Sequence, residues 1–178
     1  MFKKILVAID DIERDRQVFD EALAIAQAQG SSLLLLHILP SENQANVFPP
    51  TLMGYGTPLL VETTIERFRQ DWKALESHGL SMLHAIAAEA KAKGVSCDFI
   101  QLAGSPAPLI CAIARDWNVN LVVMGRRGFS GLTEFLAGST SNYTLHHAPC
   151  SVLVVQNQPA SEEKEKAQAN VIPLSQNS

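Results

Sequence analysis

Four short runs of apolar, mostly branched residues stand out along the chain: 4–9 (KILVAI), 32–38 (SLLLLHI), 121–124 (LVVM) and 151–155 (SVLVV). A weaker fifth, 96–101 (SCDFIQ), alternates apolar with polar positions. Continuous apolar runs of this length suit strands covered on both faces, as in parallel sheets. Between the runs the apolar period becomes helical. Val18, Phe19, Ala22, Leu23, Ile25 and Ala26 share one stripe, and Gly30 stands where a C-terminal cap belongs. Residues 61–93 contain no proline and stop at Gly94, with Gly79 as a candidate bend or break. In 104–118 (GSPAPLICAIARDWN), Ser105 is a candidate N-cap and Pro106 a first-turn residue, with Leu109, Ile110, Ile113, Ala114 and Trp117 turned inward. A last helix is expected from about 139 to 147, before Pro149.

The order is therefore β-α-β-α-β-α-β-α-β. It predicts an α/β fold: one domain, about residues 1–156, with an open five-stranded parallel sheet, helices on both faces and right-handed crossovers. In such sheets a ligand crevice lies at the carboxyl ends of the strands, where the strand order reverses. Two stretches fall outside the pattern. Residues 40–60 carry Pro49, Pro50, Pro58, Gly54 and Gly56, and read as an irregular insertion. Residues 157–178 are polar and lack a sustained apolar period, and read as a disordered tail.

Composition narrows the function classes. A chain of 178 residues with 47% hydrophobic and 18% charged residues is ordinary for a globular protein. A net charge of −4 offers no basic excess to neutralise phosphates, so a general nucleic-acid binder is not expected. Cys97, Cys111 and Cys150 are odd in number and far apart, which fits a reducing compartment and supplies neither a disulfide framework nor a zinc site. The opening apolar run, residues 5–9, is too short for a signal-peptide core or a membrane span. A cytoplasmic protein with no membrane partner is expected.

The chemistry concentrates in 125–139 (GRRGFSGLTEFLAGS), between a buried strand and the last helix. Gly125 and Gly128 let a chain turn with backbone N–H groups directed at one point. Gly138 and Ser139 open a helix whose free N–H groups and dipole favour an anion. Ser139 and Ser141 add hydroxyl donors, and Arg126 and Arg127 add charge at the rim. Two donor clusters nine residues apart exceed what a strand–helix turn requires. The segment is neither a P-loop, since no G-x4-G-K-[ST] occurs, nor a GxGxxG fingerprint.

The pattern Gly125-x2-Gly128-x9-Gly138-Ser139 resembles the nucleotide-binding signature of the universal stress protein family. The first run ending in Asp10, the LLLLHI run and the closing HHAPCSVLVV are similar to that family too, so the resemblance spans about residues 1–156. It implies a Rossmann-like, adenine nucleotide alpha hydrolase-like domain of the ATP-binding subgroup, and a homodimer joined through strand 151–155. ATP or AMP would be the ligand, with magnesium accompanying ATP an open point. By the same resemblance Asp10 would accept hydrogen bonds from ribose hydroxyls, and Ala8 and Ile9 would lie against the nucleotide. The backbone of Ile38 would grip adenine. Met124, Gly125, Arg127, Gly128, Gly138, Ser139, Thr140 and Ser141 would contact ribose and phosphate. One departure is Asp10-Asp11-Ile12, where the family often reads D-G-S. The serine hydroxyl is lost there and a negative charge gained, so a monophosphate or another adenylate fits the site as well as ATP.

The resemblance implies a nucleotide-dependent stress-response module, for signalling or protection, without catalytic residues. A slow ATPase using the same site is the alternative, but no general base, arginine finger or magnesium carboxylate pair is recognisable. An adenylating enzyme would need a serine-glycine-glycine turn after the first strand, which is absent. His37 reads as structurally bonded, His146 and His147 as helix-capping, and Glu134 as a solvated helix carboxylate. His78 and His84 are six residues apart and do not share a helix face. Trp72 and Trp117 read as packing residues.

Overall fold

A computed structural model of the chain describes residues 1–41, 58–126 and 138–156, with the backbone alone for 58–65. The expected insertion, apart from its ends, and the expected tail lie outside these residues. Five strands form one parallel sheet: β1 (Lys4–Ala8), β2 (Ser32–Leu39), β3 (Cys97–Ala103), β4 (Leu121–Arg126) and β5 (Ser151–Gln156). Their order across the sheet is β3-β2-β1-β4-β5. Helices α1 (Ile12–Gln29), α2 (Pro58–Ala92), α3 (Pro106–Asp116) and α4 (Ser139–His147) connect them. The expected five-stranded α/β architecture is the one observed.

Burial on both faces explains the continuous apolar runs. In β2, Leu33 and Leu35 pack with the core beneath α1 and α2, whereas Leu34 and Leu36 join the core beneath α3. Removing a leucine or phenylalanine side chain of this kind from water contributes about 1.5–3 kcal/mol. On α1 the buried stripe is Val18, Phe19, Ala22, Leu23 and Ala26. Gly30 closes that helix in the left-handed region, at φ 66°.

Some expectations change. Pro58 to Leu60, assigned to the insertion, are the first residues of α2. Gly79 does not break α2, which runs unbroken through it. It is buried, and a Cβ there would stand 2.6 Å from the His37 ring and closer still to Gln101 Oε1. The glycine lets the helix approach β2 and β3. Trp117 is 40% exposed rather than packed, because the α3 stripe buries only Ile110, Cys111 and Ala114 fully. Its backbone carbonyl accepts a hydrogen bond from Lys4 Nζ at 3.1 Å. Ser105 holds the N-cap position of α3 without a side-chain cap bond, and Pro106 follows it.

Candidate functional site at the strand-order reversal

The strand order reverses between β1 and β4, which pair from Ile5↔Leu121 to Ala8↔Met124. After β1 the chain enters α1 on one face. After β4 it resumes as α4, which packs with α3 on the other face. Connections departing to opposite sides leave a crevice at the carboxyl ends of these two strands.

Most of the described candidates converge on this edge. Asp10 follows β1, and its side chain is 47% exposed. Ile38 lies near the end of the neighbouring β2, half-buried on the α3 side and paired with Leu102. Gly138 is the N-cap of α4 and offers no side-chain cap, so the first-turn N–H groups of Ser139, Thr140 and Ser141 have no intrahelical acceptor. Arg127 and Gly128 lie outside the described residues, as does Glu134.

Several of these residues have side chains committed elsewhere. Ile9 is buried in the core beneath α1, and its N–H donates to the Leu36 carbonyl at 2.9 Å. Met124 is buried on the α3 face, and Ala8 packs against the same core. At the crevice these three therefore offer backbone rather than functional side chains. Ser141 is also buried, and its hydroxyl donates to the Gly138 carbonyl at 2.9 Å, tightening the first turn of α4.

Gly125 differs from its sequence reading. It continues β4, paired with Val155, and does not turn the chain. Its surroundings are crowded instead: a Cβ there would stand 3.1 Å from Asp15 Oδ1 and 3.2 Å from Val18 Cγ2.

The departure at Asp11 also has a structural role. Its Oδ1 accepts the Glu13 N–H at 2.9 Å, capping α1, and its Oδ2 lies 3.5 Å from Arg14 Nε. Arg14 reaches Asp10 Oδ2 at 3.2 Å as well. The added negative charge is thus paired and placed at a helix N-terminus, where the dipole favours it. Asp15 was missed by the sequence reading. Its Oδ2 accepts from the Asp10 N–H at 2.8 Å and the Asp11 N–H at 3.3 Å. The signal was present: an acidic residue four positions after an N-cap can reach back to the cap, much as in a capping box.

His37 is buried, and its Nδ1 lies 3.0 Å from Gln101 Oε1. Gln101 Nε2 in turn donates to the Glu76 carbonyl at 3.1 Å. The imidazole therefore ties β2 to β3 and α2, away from the crevice. His147 Nδ1 donates to the Tyr143 carbonyl at 2.8 Å, inside the last turn of α4. All three cysteines are free, and burial raises each thiol above its ordinary range, Cys97 to about 11. At neutral pH they are protonated and poor nucleophiles. Among the described residues no group of three His, Cys, Asp or Glu side chains could hold a metal ion. None of the helices there is long and apolar enough to cross a membrane.

A model of the universal stress protein family matches residues 1–156. This chain belongs to that family. Among universal stress proteins it is similar to Sll1388 of Synechocystis, at 32% identity over 156 residues, covering 88% of this chain and 99% of that protein. It is also similar to YxiE of Bacillus subtilis, at 34% identity over 156 residues, with 88% and 100% covered. The solved structure of hypothetical protein MJ0577 shares the fold with a TM-score of 0.68 at 23% identity, covering 89% of this chain and 98% of that one. An Arabidopsis thaliana family member with AMP bound superposes with a TM-score of 0.58 at 21% identity, covering 88% and 93%. A universal stress protein in complex with cAMP gives 0.58 at 19%, covering 88% and 99%.

Proposed function

We propose that this universal stress protein binds an adenine nucleotide, AMP or ATP, in the crevice between β1 and β4. Nucleotide occupancy would set its state as a stress-response module, for signalling or protection, without rapid turnover. The observation that carries this reading is the strand-order reversal between β1 and β4, with Asp10 just past β1 and an α4 N-terminus that has no side-chain cap on the helix after β4. An exposed carboxylate suits ribose hydroxyls, and free helix N–H groups suit a phosphate. The AMP and cAMP complexes of fold relatives support an adenylate as the ligand class. In this reading the carbonyl and N–H of Ile38 hold the adenine edge, and the backbone of Ala8, Ile9 and Met124 lines the nucleoside. Gly125, Arg127, Gly128, Gly138, Ser139, Thr140 and Ser141 contact the ribose and phosphates in this reading. Magnesium would enter only with ATP.

We also place the protein in the cytoplasm as a homodimer. β5 ends the sheet, and its Val152, Leu153 and Val154 are only half-buried, so a second copy could pair along it.

The test uses freshly purified protein, denatured before any ligand is added, with released small molecules identified by mass spectrometry. A stripped sample is then incubated with ATP and ADP is followed. The expected result is retained AMP or ATP, negligible ADP formation, and loss of binding in Gly138→Val and Gly128→Val with the fold intact. Steady turnover that disappears in Gly138→Val would make the protein a slow ATPase instead. Absence of any adenylate, with no ATP or AMP binding, would overturn the site.

A further inference from the structure

We propose that Asp15 is the positioning residue of this site, a carboxylate that fixes the turn carrying Asp10 at one lip of the crevice and backs Gly125 at the other. The inference rests on the reading that an adenine nucleotide occupies the crevice, and goes beyond it by naming what fixes the geometry. Asp15 lies on the first turn of α1 and is half-buried. One of its oxygens, Oδ2, takes the backbone N–H groups of both Asp10 and Asp11. These amides belong to the turn that leaves β1 and carries the exposed Asp10 carboxylate. The other oxygen, Oδ1, points at the end of β4, 3.1 Å from where a Cβ of residue 125 would stand. Asp15 therefore bonds the turn that leaves β1 and stands close behind Gly125 of β4, the two strands that flank the strand-order reversal.

Two consequences follow from this arrangement. With its N–H fixed, the backbone of Asp10 is held, so its carboxylate, reached by Arg14 at 3.2 Å, springs from a set position before a ligand arrives. Pre-aimed acceptors bind more tightly because less ordering remains to be done on association. A Cβ at residue 125 would also crowd this carboxylate, since Oδ1 or Val18 Cγ2 would have to give way by a few tenths of an ångström. Glycine at 125 thus fits the carboxylate behind it and does not serve a turn.

Affinity for adenosine, AMP and ATP is measured by calorimetry on wild type, Asp15→Asn, Asp15→Ala and Gly125→Ala. Hydrogen exchange of the Asp10 and Asp11 amides is followed in parallel by NMR. Asp15→Ala should lose about tenfold in affinity for all three ligands alike, the size expected when a binding group is misaimed. Its two amides should lose their protection. Asp15→Asn keeps an acceptor oxygen and should bind within about threefold of wild type. Gly125→Ala should weaken binding, and Asp15→Ser, with a shorter side chain, should recover part of that loss in the double variant. This pair keeps the test open should Asp15→Ala fail to fold. Wild type and Asp15→Ala binding equally well, or Gly125→Ala behaving identically in both Asp15 backgrounds, overturns the inference alone. Wild type binding none of the three ligands overturns the nucleotide reading, and the role of Asp15 in it, while amide protection still reports whether Asp15 clamps the turn.

Discussion

Replacing Gly79 by alanine inverts a simple expectation. In the interior of an exposed helix this change stabilises by about 1 kcal/mol, because glycine carries more backbone entropy into the unfolded state. Gly79 lies within α2 but is buried against the His37 ring and Gln101. A methyl group there would sit 2.6 Å from His37 Cε1 and Nδ1. Gln101 Oε1 is the end of a flexible side chain and can withdraw, but doing so gives up its contact with His37 Nδ1, about 1 kcal/mol. The imidazole is buried and cannot swing into solvent, so α2 must shift as well, at the roughly 1–3 kcal/mol typical of overpacking. Against the helical gain, the net effect is a loss of about 1–3 kcal/mol. For a domain of this size that lowers Tm by about 2–10 °C. The assay is thermal and urea unfolding of Gly79→Ala, alone and combined with His37→Ala. Once the ring is removed, the alanine should become neutral or stabilising, giving a coupling of more than about 1 kcal/mol in the double-mutant cycle. A single variant more stable than wild type would refute the close-approach argument.

Two further outcomes are expected. Glu89 is bonded by both nitrogens of the Arg16 fork at 2.9 and 2.6 Å, and by Lys93 Nζ at 2.9 Å. Chiefly through Arg16, then Lys93, its carboxyl is held down at about 2, against an ordinary 4.5. A depressed carboxylate contributes stability above its unfolded value and loses it as pH falls from about 4.5 through about 2. Allowing for solvent screening of this partly exposed network, Glu89→Gln should cost about 1 kcal/mol at pH 7, a gap closing toward pH 2 in urea melts. A pH-independent gap would mean that packing rather than charge joins α1 to α2. For the thiols, Cys150 is half-buried and should react with a maleimide at pH 7.5 well before Cys97, which is fully buried and raised to about 11. Equal rates for the two would show that β3 opens as readily as the segment leading into β5.

The element types were legible because burial on both faces of a parallel sheet leaves a plain signature. LLLL in β2 and LVV in β4 can only be covered from two sides, and the α1 stripe from Val18 to Ala26 has one helical face. The weaker alternation in 96–101 understated β3, which continues to Ala103 at the edge of the sheet with Phe99 to Leu102 half-buried. Asp10 was visible through the family resemblance, and Gly138-Ser139 also because anion binding depends on local order: a glycine and a helix start. What Asp11 and Asp15 do was less visible, since their partners are backbone amides whose directions follow from the path of the turn.

The sequence by itself determined the β-α order, the parallel class and the family, all of which follow from periodicities and motifs within about thirty residues. Only the tertiary structure decided why particular glycines are glycines. Gly79 was a candidate bend or break and Gly125 a candidate turn, yet one continues a helix and the other a strand. In each case side chains from another element, His37 and Gln101 at the first and Asp15 and Val18 at the second, stand against the space where a Cβ would go. Periodicity records which face of an element is buried. It does not record how close the neighbouring backbone comes, and that distance is set by the packing of the whole domain.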